Sequence, residues 1–435
     1  MNSIKRNFLI NKINNLPKEL KEIIFLCRKI AKQQNIEIYL VGGFVRDLLL
    51  EEKNFDLDIV VEKGGIEFAT MLSRQLHADL VKHRPFGTAT LNCKNGYKID
   101  IATSRKETYL KPAALPTVEA GTIRDDLARR DFSINAMACH IDYQKFGMFV
   151  DFFGGWDDLK NKKIRVLHQR SFIDDPTRIM RAVRFEQRFG FKIEKNTLRL
   201  IKEAKNQKLL ERVQKHRIRD ELILIFKEDN PFRIIRRLRQ VYNLTFINPK
   251  IKFNSKLETL YQRIKNTAIW FNKKFPNKRK PELWLMYLAV FLSSLKITAL
   301  NNFLITYAFL KSDKIRILSF IKKHHSIIKR LRKRSIMPAH IFQLLEPLSY
   351  EVILLCYGIA IDKIVKQRIS YFFQYIHSKQ LSITGDDLLL LGAKPGPNFK
   401  KILQKVLHYK INKKLRSKEQ ELEYAKKIIN SQIDK

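Results

Sequence analysis

The chain has 435 residues, 45% of them hydrophobic, with 84 Lys and Arg against 43 Asp and Glu and a formal net charge of +41. A chain of this length buries a substantial core. A basic surplus of this size is typical of proteins that bind a polyanion, nucleic acid first, with lysine enrichment by AT-rich codon usage as the alternative explanation for part of it. Four scattered cysteines argue against a zinc site or a disulfide framework and predict a reducing, cytoplasmic location. No apolar segment is long enough to span a membrane, and the longest, at 283–295, predicts a buried helix.

Up to about residue 160, short β-branched runs alternate with helical patterns. Strands are predicted at 36–41, 57–62, 89–93, 97–103 and 148–152. Beyond Arg165 the strands stop and the pattern is helical almost throughout, with breaks near Pro231, at 276–281 and at Pro338. The sequence therefore predicts an α+β protein, with an α/β head followed by an all-helical remainder.

The first chemical signal is a glycine pair, Gly42 and Gly43, between a predicted strand and a helix predicted at 44–50. Bare backbone N–H groups at a helix start bind anions, and the helix dipole strengthens the attraction. Arg46 lies one turn into this helix, within reach of a phosphate. Most glycine pairs are ordinary tight turns, so a phosphate site is indicated only together with the residues that follow.

Two carboxylates, Asp56 and Asp58, come next, in an apolar run that predicts a strand. Alternate side chains of a strand share a face, so the two acids lie roughly 7 Å apart along the backbone and repel each other unless a cation joins them. Mg²⁺ is the natural cation, because it binds one or two carboxylates together with substrate phosphates. Asp100, on the strand predicted at 97–103, is the natural third carboxylate, with an ordinary edge-strand acid as the alternative. The set predicts metal-assisted attack of an RNA 3′ hydroxyl on a nucleoside triphosphate, with two metals about 4 Å apart.

After a proline-rich loop at 111–116, four polar residues lie close together in the sequence: Arg129, Arg130, Asp131 and Asn135. The adjacent arginines suit phosphate and ribose binding. Asp131 and Asn135 are one helical turn apart if the segment is helical. A helix start stabilised by ion pairs is the alternative interpretation.

Asp151 precedes a second glycine pair, Gly154 and Gly155, at the end of the α/β region. Paired glycines at such a boundary predict a hinge between the head and the helices. A plain turn explains the pattern nearly as well.

The sharpest constellation is Asp175 and Arg178, three residues apart and thus able to face one ligand. One alternative is structural, with Asp175 as a helix N-cap and Pro176 at the first helical position. The functional interpretation is base recognition. Arg181 and Arg184 continue at helical spacing and can meet a triphosphate or RNA.

The hydrogen-bonding pattern of the bases makes that interpretation specific. Cytosine and adenine both present an amino donor beside a ring-nitrogen acceptor. A carboxylate that accepts from the amino group and an arginine that donates to the ring nitrogen therefore fit both. Uracil and guanine present the reverse pattern and would leave buried groups unpaired, which a protein site rejects by up to ~10⁴-fold or more. A protein template that accepts only C and A suits one product, the sequence CCA.

Between residues 311 and 334 there are 10 Lys and Arg and one acid, Asp313. A helix with this charge has no intramolecular partner of its own. RNA-backbone binding and a merely solvated basic face are both open at this stage.

Five motifs occur in a characteristic order: LVGGFVRD (40–47), DLD (56–58), RRDFSINAMA (129–138), DFFGG (151–155) and DDPTRIMRAVRF (174–185). Together they resemble the class II tRNA nucleotidyltransferase and bacterial poly(A) polymerase family, a branch of the polymerase β-like nucleotidyltransferases. RVQKHRIRDEL (212–222) resembles the family's neck motif, which braces the template helix. LSITGDDLLLLGAKPGP (381–397) resembles its RNA-contacting tail segment.

The resemblance implies a head with a mixed sheet and helices, then an all-α neck, body and tail. The implied segments are a helical extension (1–24), catalytic head (25–160), neck (161–230), body (231–337) and tRNA-binding tail (338–435). It implies addition of CMP and AMP, from CTP and ATP, to the tRNA 3′ end with Mg²⁺. The implied roles are metal binding by Asp56 and Asp58, triphosphate binding by Gly42, Gly43, Arg46 and Asp47, sugar and phosphate binding by Arg129, Arg130, Asp131 and Asn135, and base templating by Asp175 and Arg178.

Within this family, complete CCA addition, CC-only, A-only and poly(A) addition are all known activities. The segment at 82–87 lacks the basic pair common in the poly(A) branch, and the loop at 104–124 is not obviously shortened, which counts against CC-only addition. The motifs around residues 174–191 resemble split-activity enzymes, so A-only addition beside a second nucleotidyltransferase stays open. The chain departs from the family pattern at Asp174, at Ser133 and near Asn412, where a glycine is expected.

Overall fold

A computed structural model describes residues 2–52, 56–108 and 117–433. The proline-rich loop at 111–116, and with it part of the loop predicted at 104–124, lies outside the described residues, as does Phe55 beside the carboxylate pair. The described residues form two compact units. The first contains the chain up to Glu221 together with Arg233–Ile247, and the second contains Leu222–Phe232 together with the chain from Asn248 onward. The division into five segments stays a prediction.

The first unit contains all the strands found in the described residues: β1 (Ile38–Val41), β2 (Leu57–Val61), β3 (Asp79–His83), β4 (Thr88–Asn92), β5 (Lys98–Thr103), β6 (Arg105–Thr108), β7 (Thr117–Ala120), β8 (Ala138–His140), β9 (Phe149–Val150), β10 (Lys163–Ile164) and β11 (Lys192–Ile193). Seven of them form one sheet in the order β3-β4-β5-β2-β1-β8-β9. Within this sheet, among the described residues, β2 and β5 pair in parallel and the other neighbours are antiparallel, so the sheet is mixed. The predicted α+β head is confirmed.

Strands with apolar alternation match their predictions, and those without it were missed. Edge strand β3 has four exposed residues and shows no apolar face. Strand β8 is three small or polar residues, all buried. The expectation that strands stop beyond Arg165 is wrong, because β11 pairs in parallel with β10.

The helices of the first unit, with two that continue into the second, are α1 (Asn2–Asn14), α2 (Lys18–Gln34), α3 (Gly42–Leu50), α4 (Gly65–Leu76), α5 (Ile123–Ala128), α6 (Gly155–Lys160), α7 (Ser171–Asp174), α8 (Arg178–Phe189), α9 (Lys195–Asn206), α10 (Lys215–Lys227) and α11 (Pro231–Val241). Two of the alternative structural interpretations are wrong. Residues 129–131 do not start a helix, because α5 ends at Ala128 and a short 3₁₀ turn follows at Ser133–Asn135. Asp175 is not an N-cap, because α8 begins at Arg178 and Asp175 has extended backbone after α7. The boundary predicted at residue 24 lies inside α2.

Within the described residues the second unit is entirely helical, as predicted. Its helices are α12 (Ser255–Lys274), α13 (Leu283–Phe291), α14 (Ile297–Thr306), α15 (Lys311–Leu331), α16 (Pro338–Leu345), α17 (Tyr350–Ile359), α18 (Lys363–Tyr371), α19 (Gly385–Leu390), α20 (Pro397–Ile411) and α21 (Lys418–Ile433). α12, α15 and α17 pack together, and α13 is buried from Leu285 to Phe291. A separate apolar cluster around Leu388, Ile402 and Ala425 joins the last three helices.

The expectation that the basic helix has no intramolecular partner is wrong for two of its arginines. Arg316 lies 2.6 Å from Asp313 and also contacts Glu282 and Glu351. Arg332, which follows α15, lies 2.8 Å from Asp362. Asp313 belongs to α15 itself, whereas Glu282, Glu351 and Asp362 lie elsewhere in the unit and meet these arginines only in the folded chain.

In the described part of the chain, no single helix has both the length and the apolar composition to cross a membrane. The consecutive helices α16 and α17 reach this length and apolar composition only when they are counted together, and the chain bends by 114° between them. The expected tail glycine has a structural counterpart. Lys413 adopts a left-handed backbone with φ of 61°, a conformation that glycine takes at lower cost.

Candidate active site

The glycine turn joins β1 to α3 and brings four predicted site residues together. Gly42 has a φ of +65°, and a Cβ there would lie 2.2 Å from Nη1 of Arg130. A Cβ on Gly43 would lie 3.7 Å from Oδ2 of Asp58. The Gly42 N–H already donates to the Met137 carbonyl at 3.1 Å, so the predicted anion site cannot use it. Because the two glycines have no side chains, Arg130 and Asp58 can lie close to the backbone of this turn.

Arg46 is buried and held in place before any ligand arrives. Its Nε donates to Oδ1 of Asp47 at 2.7 Å, and its Nη1 donates to Oδ1 of Asn135 at 2.5 Å. The guanidinium also lies 5.2 Å from the ring centre of Phe185 and 4.8 Å from that of Phe189. Burial lowers the Arg46 pKa, and the Asp47 carboxylate opposes that shift. Arg46 and Asn135, which lie in separate sequence motifs, are thus joined by a hydrogen bond.

The carboxylates lie on or just before β2 and β5, two neighbouring central strands of the sheet. Asp56 directly precedes β2, and Asp58 on β2 is the register partner of Asp100 on β5. Burial raises the pKa of Asp58 to about 6. The positive charge of Arg130 lowers this pKa, and the negative charges of Asp100 and Asp56 raise it further. Asp100 accepts from the Thr90 hydroxyl at 2.6 Å and pairs with Lys98 at 2.5 Å. Asp58 is therefore the least favourably solvated acid of the three.

The carboxylates of Asp56 and Asp58 are suitable ligands for Mg²⁺. Among the described residues, no three His, Cys, Asp or Glu side chains converge to hold a metal without other ligands. Mg²⁺ does not need such a cage, because it keeps waters and takes one or two carboxylates plus substrate phosphates. Asp56 and Asp58 supply two carboxylates beside the glycine turn, and a cation would relieve the burial of Asp58.

Arg129 and Arg130 follow α5 and share one acid that the sequence analysis missed. Buried Asp126 lies 2.7 Å from Arg129 and 2.9 Å from Arg130. Arg129 also pairs with Glu107 of β6 at 3.0 Å. The spacing of three and four residues between Asp126 and the arginines is the signal that could have revealed it. The two predicted phosphate ligands are thus oriented by the protein's own carboxylates.

Asp131 links the segment predicted to bind the sugar to helix α8. It accepts from Asn135 at 2.8 Å and from Nε of Arg181 at 2.8 Å. Burial opposes its ionisation, yet Arg181 and Asn135 hold the Asp131 pKa at about 2. Arg181 also donates to Glu221 at 3.3 Å, and Arg184 lies 3.7 Å from the same carboxylate. Both arginines that were predicted to meet nucleotide or RNA therefore engage acids of the protein.

Asp175 and Arg178, the predicted template pair, are held by Thr177 within their motif and by residues outside it. Oδ1 of Asp175 accepts hydrogen bonds from the Thr177 N–H at 3.0 Å and from the Thr177 hydroxyl at 2.6 Å. These two bonds close a turn over Pro176. The same carboxylate oxygen forms an ion pair with Arg217 at 2.8 Å.

Arg178 has only 5% of its surface exposed. Its Nη1 donates to the Ser171 hydroxyl at 2.8 Å and its Nη2 to the Arg129 carbonyl at 2.7 Å. The carbonyl joins the template directly to the arginine pair.

One cavity of about 740 Å³ collects most of the predicted residues: Gly43, Arg46, Asp56, Asp58, Arg129, Arg130, Asp131, Asn135, Asp175, Arg178, Arg181 and Arg184. It also contains six residues that the sequence analysis did not single out: Glu107, Thr177, Phe185, Arg217, Asp220 and Glu221. Gly42 and Asp47 do not line it. Asp100 lines an adjoining cavity of about 300 Å³ that shares Asp58, Arg129 and Arg130.

Asp151, Gly154 and Gly155 lie outside both cavities and form a capped turn. The Asp151 carboxylate accepts from the Gly155 N–H at 2.8 Å and the Trp156 N–H at 2.9 Å, at the start of α6. A Cβ on Gly155 would lie 2.2 Å from the Ser133 carbonyl oxygen. Gly155 therefore permits close packing, and its role as a hinge stays a prediction.

Replacing Gly155 with Ala should lower the free energy of unfolding by roughly 2 kcal/mol or more, because a rigid backbone atom blocks the new methyl group. Gly385→Ala is the matched control. Gly385 also begins a helix, but a Cβ there would meet only Phe399 at 3.5 Å. Urea denaturation of both variants tests the difference, and equal stability would contradict the close-packing role.

Comparison with known proteins places this site in context. Residues 38–165 match a family profile described as the Poly A polymerase head domain, and residues 190–253 match a probable RNA and SrmB- binding site of polymerase A. An A-adding tRNA nucleotidyltransferase of Geobacter sulfurreducens is 32% identical over 434 residues, covering 98% of this chain and 49% of that protein. An A-adding tRNA nucleotidyltransferase of Halalkalibacterium halodurans is 32% identical over 418 residues, covering 92% of this chain and 91% of that protein.

A solved structure of the Thermotoga maritima CCA-adding enzyme complexed with tRNA is 34% identical, with a TM-score of 0.65 and coverage of 96% of this chain and 97% of that one. The chain spans about half the length of the Geobacter relative but nearly all of the Halalkalibacterium one. The similarity in sequence and in fold extends over more than nine-tenths of the chain. It belongs to the class II tRNA nucleotidyltransferase and poly(A) polymerase family.

Proposed function

We propose that the protein adds nucleotides, AMP with or without CMP, from ATP and CTP to the 3′ end of tRNA without a nucleic-acid template. The observation that carries this proposal is one cavity that contains both the Asp56 and Asp58 carboxylates and the Asp175 and Arg178 pair. The first pair suits phosphoryl transfer and the second suits base selection. The names of the relatives from Geobacter and Halalkalibacterium support tRNA as the acceptor.

In this reaction the 3′ oxygen of the RNA attacks the α-phosphorus of the nucleotide, and the bond to the β-phosphate oxygen breaks to release pyrophosphate. Asp56 and Asp58 would hold Mg²⁺, which supplies charge neutralisation for the attacking and leaving oxygens. Arg130 lies against the glycine turn, where its charge can meet the triphosphate. Arg46 and Asn135 are hydrogen-bonded to each other and line the same cavity.

Base choice rests on complementary hydrogen bonds. The Asp175 carboxylate would accept from the amino group of adenine or cytosine, and the Arg178 guanidinium would donate to the neighbouring ring nitrogen. Guanine and uracil offer a carbonyl and a ring N–H in those places, so buried charged groups would lose their partners. Because Thr177, Arg217, Ser171 and the Arg129 carbonyl orient the pair, selection needs no movement of the template before the base arrives.

A-only addition is the second candidate, favoured by the A-adding activity named for both relatives. It implies a second nucleotidyltransferase that supplies the CC end. A cytoplasmic location, which the scattered cysteines predict, places the protein beside tRNA in either case.

The test uses three transcripts of one tRNA, lacking CCA, ending in C and ending in CC, each offered CTP, ATP and both with Mg²⁺. Completion of all three to CCA supports the full activity. Extension of the CC transcript alone by one A supports the second candidate. A long A ladder would assign the protein to poly(A) addition, and no addition to any transcript would contradict the proposal.

A further inference from the structure

Among the described residues that line the large cavity, Phe185 of α8 is the one aromatic side chain. It lies seven residues after Arg178 and four after Arg181, so the three side chains share one face of the helix. Only 5% of its surface is exposed. Apart from Gly43, the rest of the lining is polar or charged. A buried ring in such a wall calls for a physical explanation beyond core packing.

Three arginine side chains surround the ring of Phe185. The Cζ atoms of Arg46, Arg181 and Arg184 lie 5.2, 5.6 and 4.7 Å from the ring centre. A guanidinium within about 6 Å of an aromatic ring is attracted by the negative charge of its π face, and the attraction grows when water is excluded. All three arginines also line the cavity. Phe185 is therefore a common neighbour of three cations that come from two helices, α3 and α8.

The carboxylates near these arginines do not provide the same connection. Arg181 and Arg184 lie 3.3 and 3.7 Å from Glu221. Arg46 donates instead to Asp47, at 2.7 Å. These acids are thus divided between two places, whereas the ring lies close to all three cations. Because like charges this close repel one another, a shared group with negative charge density favours their arrangement.

A second ring extends the arrangement along α8. Phe189 stacks beside Phe185, with ring centres 5.8 Å apart and 25° between the planes. The centre of the Phe189 ring lies 4.8 Å from Arg46 and 5.2 Å from Arg188. Phe132 packs edge-on against Phe185, at 5.8 Å and 84°. The ring of Phe185 is therefore held by two other rings while it contacts the guanidiniums.

Stacking on a nucleotide base is the other use that a ring in this cavity could have. Such stacking requires an open ring face. Phe185 is almost fully buried, and other rings and guanidiniums surround it. The residues predicted to recognise the base, Asp175 and Arg178, are separate members of the same lining. The contacts of Phe185 therefore favour a role through the arginines over direct contact with a base.

We propose that Phe185 is a positioning residue for the triphosphate, because its ring holds Arg46, Arg181 and Arg184 as one cluster of positive charge. The proposal rests on the proposed function, which makes a nucleoside triphosphate the ligand of this cavity. A neutral ring attracts guanidiniums without adding an anion that would repel the triphosphate. The arginines are then ordered before the ligand arrives, which lowers the cost of binding.

The experiment replaces Phe185 in the full chain with mono-, di- and trifluorinated phenylalanine. Successive fluorine atoms withdraw electron density from the ring face, so they weaken the attraction for cations and nearly preserve the size of the ring. Phe68 of α4 is the matched control, because it is fully buried and no cation lies over its ring in the described parts of the chain. Equilibrium binding with MgCl₂ is measured for ATP and for inorganic tripolyphosphate, which has no base. Urea denaturation of each variant reports any change in stability.

Affinity for both probes should fall with each added fluorine, by about tenfold for the trifluorinated ring, because several desolvated contacts weaken together. The Phe68 series should bind both probes as the wild-type chain does. In tRNA extension, the KM for ATP should rise more than kcat falls.

An unchanged affinity for tripolyphosphate would overturn the proposal, even with weaker ATP binding, because the ring would then act on the base. Equal losses in the Phe68 series, or no tripolyphosphate binding by the wild-type chain, would also overturn it. Failure of the wild-type chain to extend tRNA would contradict the proposed function alone, because tripolyphosphate binding requires neither RNA nor nucleotide transfer.

Discussion

Replacing Asp58 with Asn should reduce nucleotide addition by about 10³-fold or more, whichever base is added. The reason is that metal-assisted charge stabilisation is worth several kcal/mol, and each ~1.4 kcal/mol changes a rate tenfold. Asn keeps the size of the side chain but removes the charge that Mg²⁺ requires. Because Asp58 lies beside the glycine turn on β2, the change should leave tRNA affinity nearly unaltered. Single-turnover extension of a CC-ending transcript measures the loss.

Thermal unfolding separates metal binding from catalysis in the same variant. A ligand that binds only the folded chain raises the melting temperature with its concentration. MgCl₂ should therefore stabilise the wild-type chain, with the nucleotide present, more than it stabilises Asp58→Asn. Asp79→Asn, a matched change at an exposed position at the start of β3, should behave as wild type in both assays. Full activity of Asp58→Asn would refute its assignment as a metal ligand.

Asp100→Asn distinguishes two roles for the third carboxylate. If Asp100 binds metal, its loss should approach that of Asp58. If it serves mainly the Thr90 and Lys98 contacts, activity should fall by less than about tenfold, as expected for a residue that acts through neighbours. Rates of the two variants at saturating MgCl₂ decide between these roles.

The parts of the fold that local pattern determines could be predicted. Strands β1, β2 and β5 carry apolar runs, and the order of the motifs along the chain predicts that the glycine turn lies close to the carboxylates on the next strand. Edge strand β3 could not be found, because its exposed side chains carry no periodicity. The alternative interpretation of Asp175 as a helix N-cap failed because, although an Asp-Pro pair normally begins a helix, here the Asp175 carboxylate bonds to Thr177 and closes a separate turn.

The residues that line the cavity were easier to predict than the contacts that orient them. Motif spacing alone placed Asp175 beside Arg178. The contacts that orient the pair join distant parts of the chain, since the Arg178 and Arg129 bond spans 49 positions and the Arg181 and Glu221 bond spans 40. No local pattern encodes such pairings. Only Asp126, three and four residues before its arginines, offered a signal within one helical turn.

Replacing Arg178 with Ala should weaken base choice more than it weakens RNA binding. A charge-assisted hydrogen bond contributes about 1.5–3 kcal/mol, so addition of A should slow by roughly 10- to 100-fold. The preference for ATP over GTP and UTP should fall at least as much, because the buried guanidinium that a wrong base leaves unpaired is gone. Competition between nucleotides on a CC-ending transcript, with separate kcat and KM values, measures both effects.

Ser171→Ala extends the same argument to the support of the template. It removes the 2.8 Å bond to Nη1 of Arg178 but keeps the Arg129 carbonyl bond and the charge, so the loss of discrimination should be in the same direction and smaller. Arg199→Ala, an exposed arginine of α9 paired with Glu203, serves as the control and should leave base choice unchanged. A stably folded Arg178→Ala chain that still rejects GTP and UTP completely would show that another group reads the base. Discrimination would then have to arise from Asp175 or from other residues that line the cavity, since no hydrogen bond from Arg178 would be contributing to it.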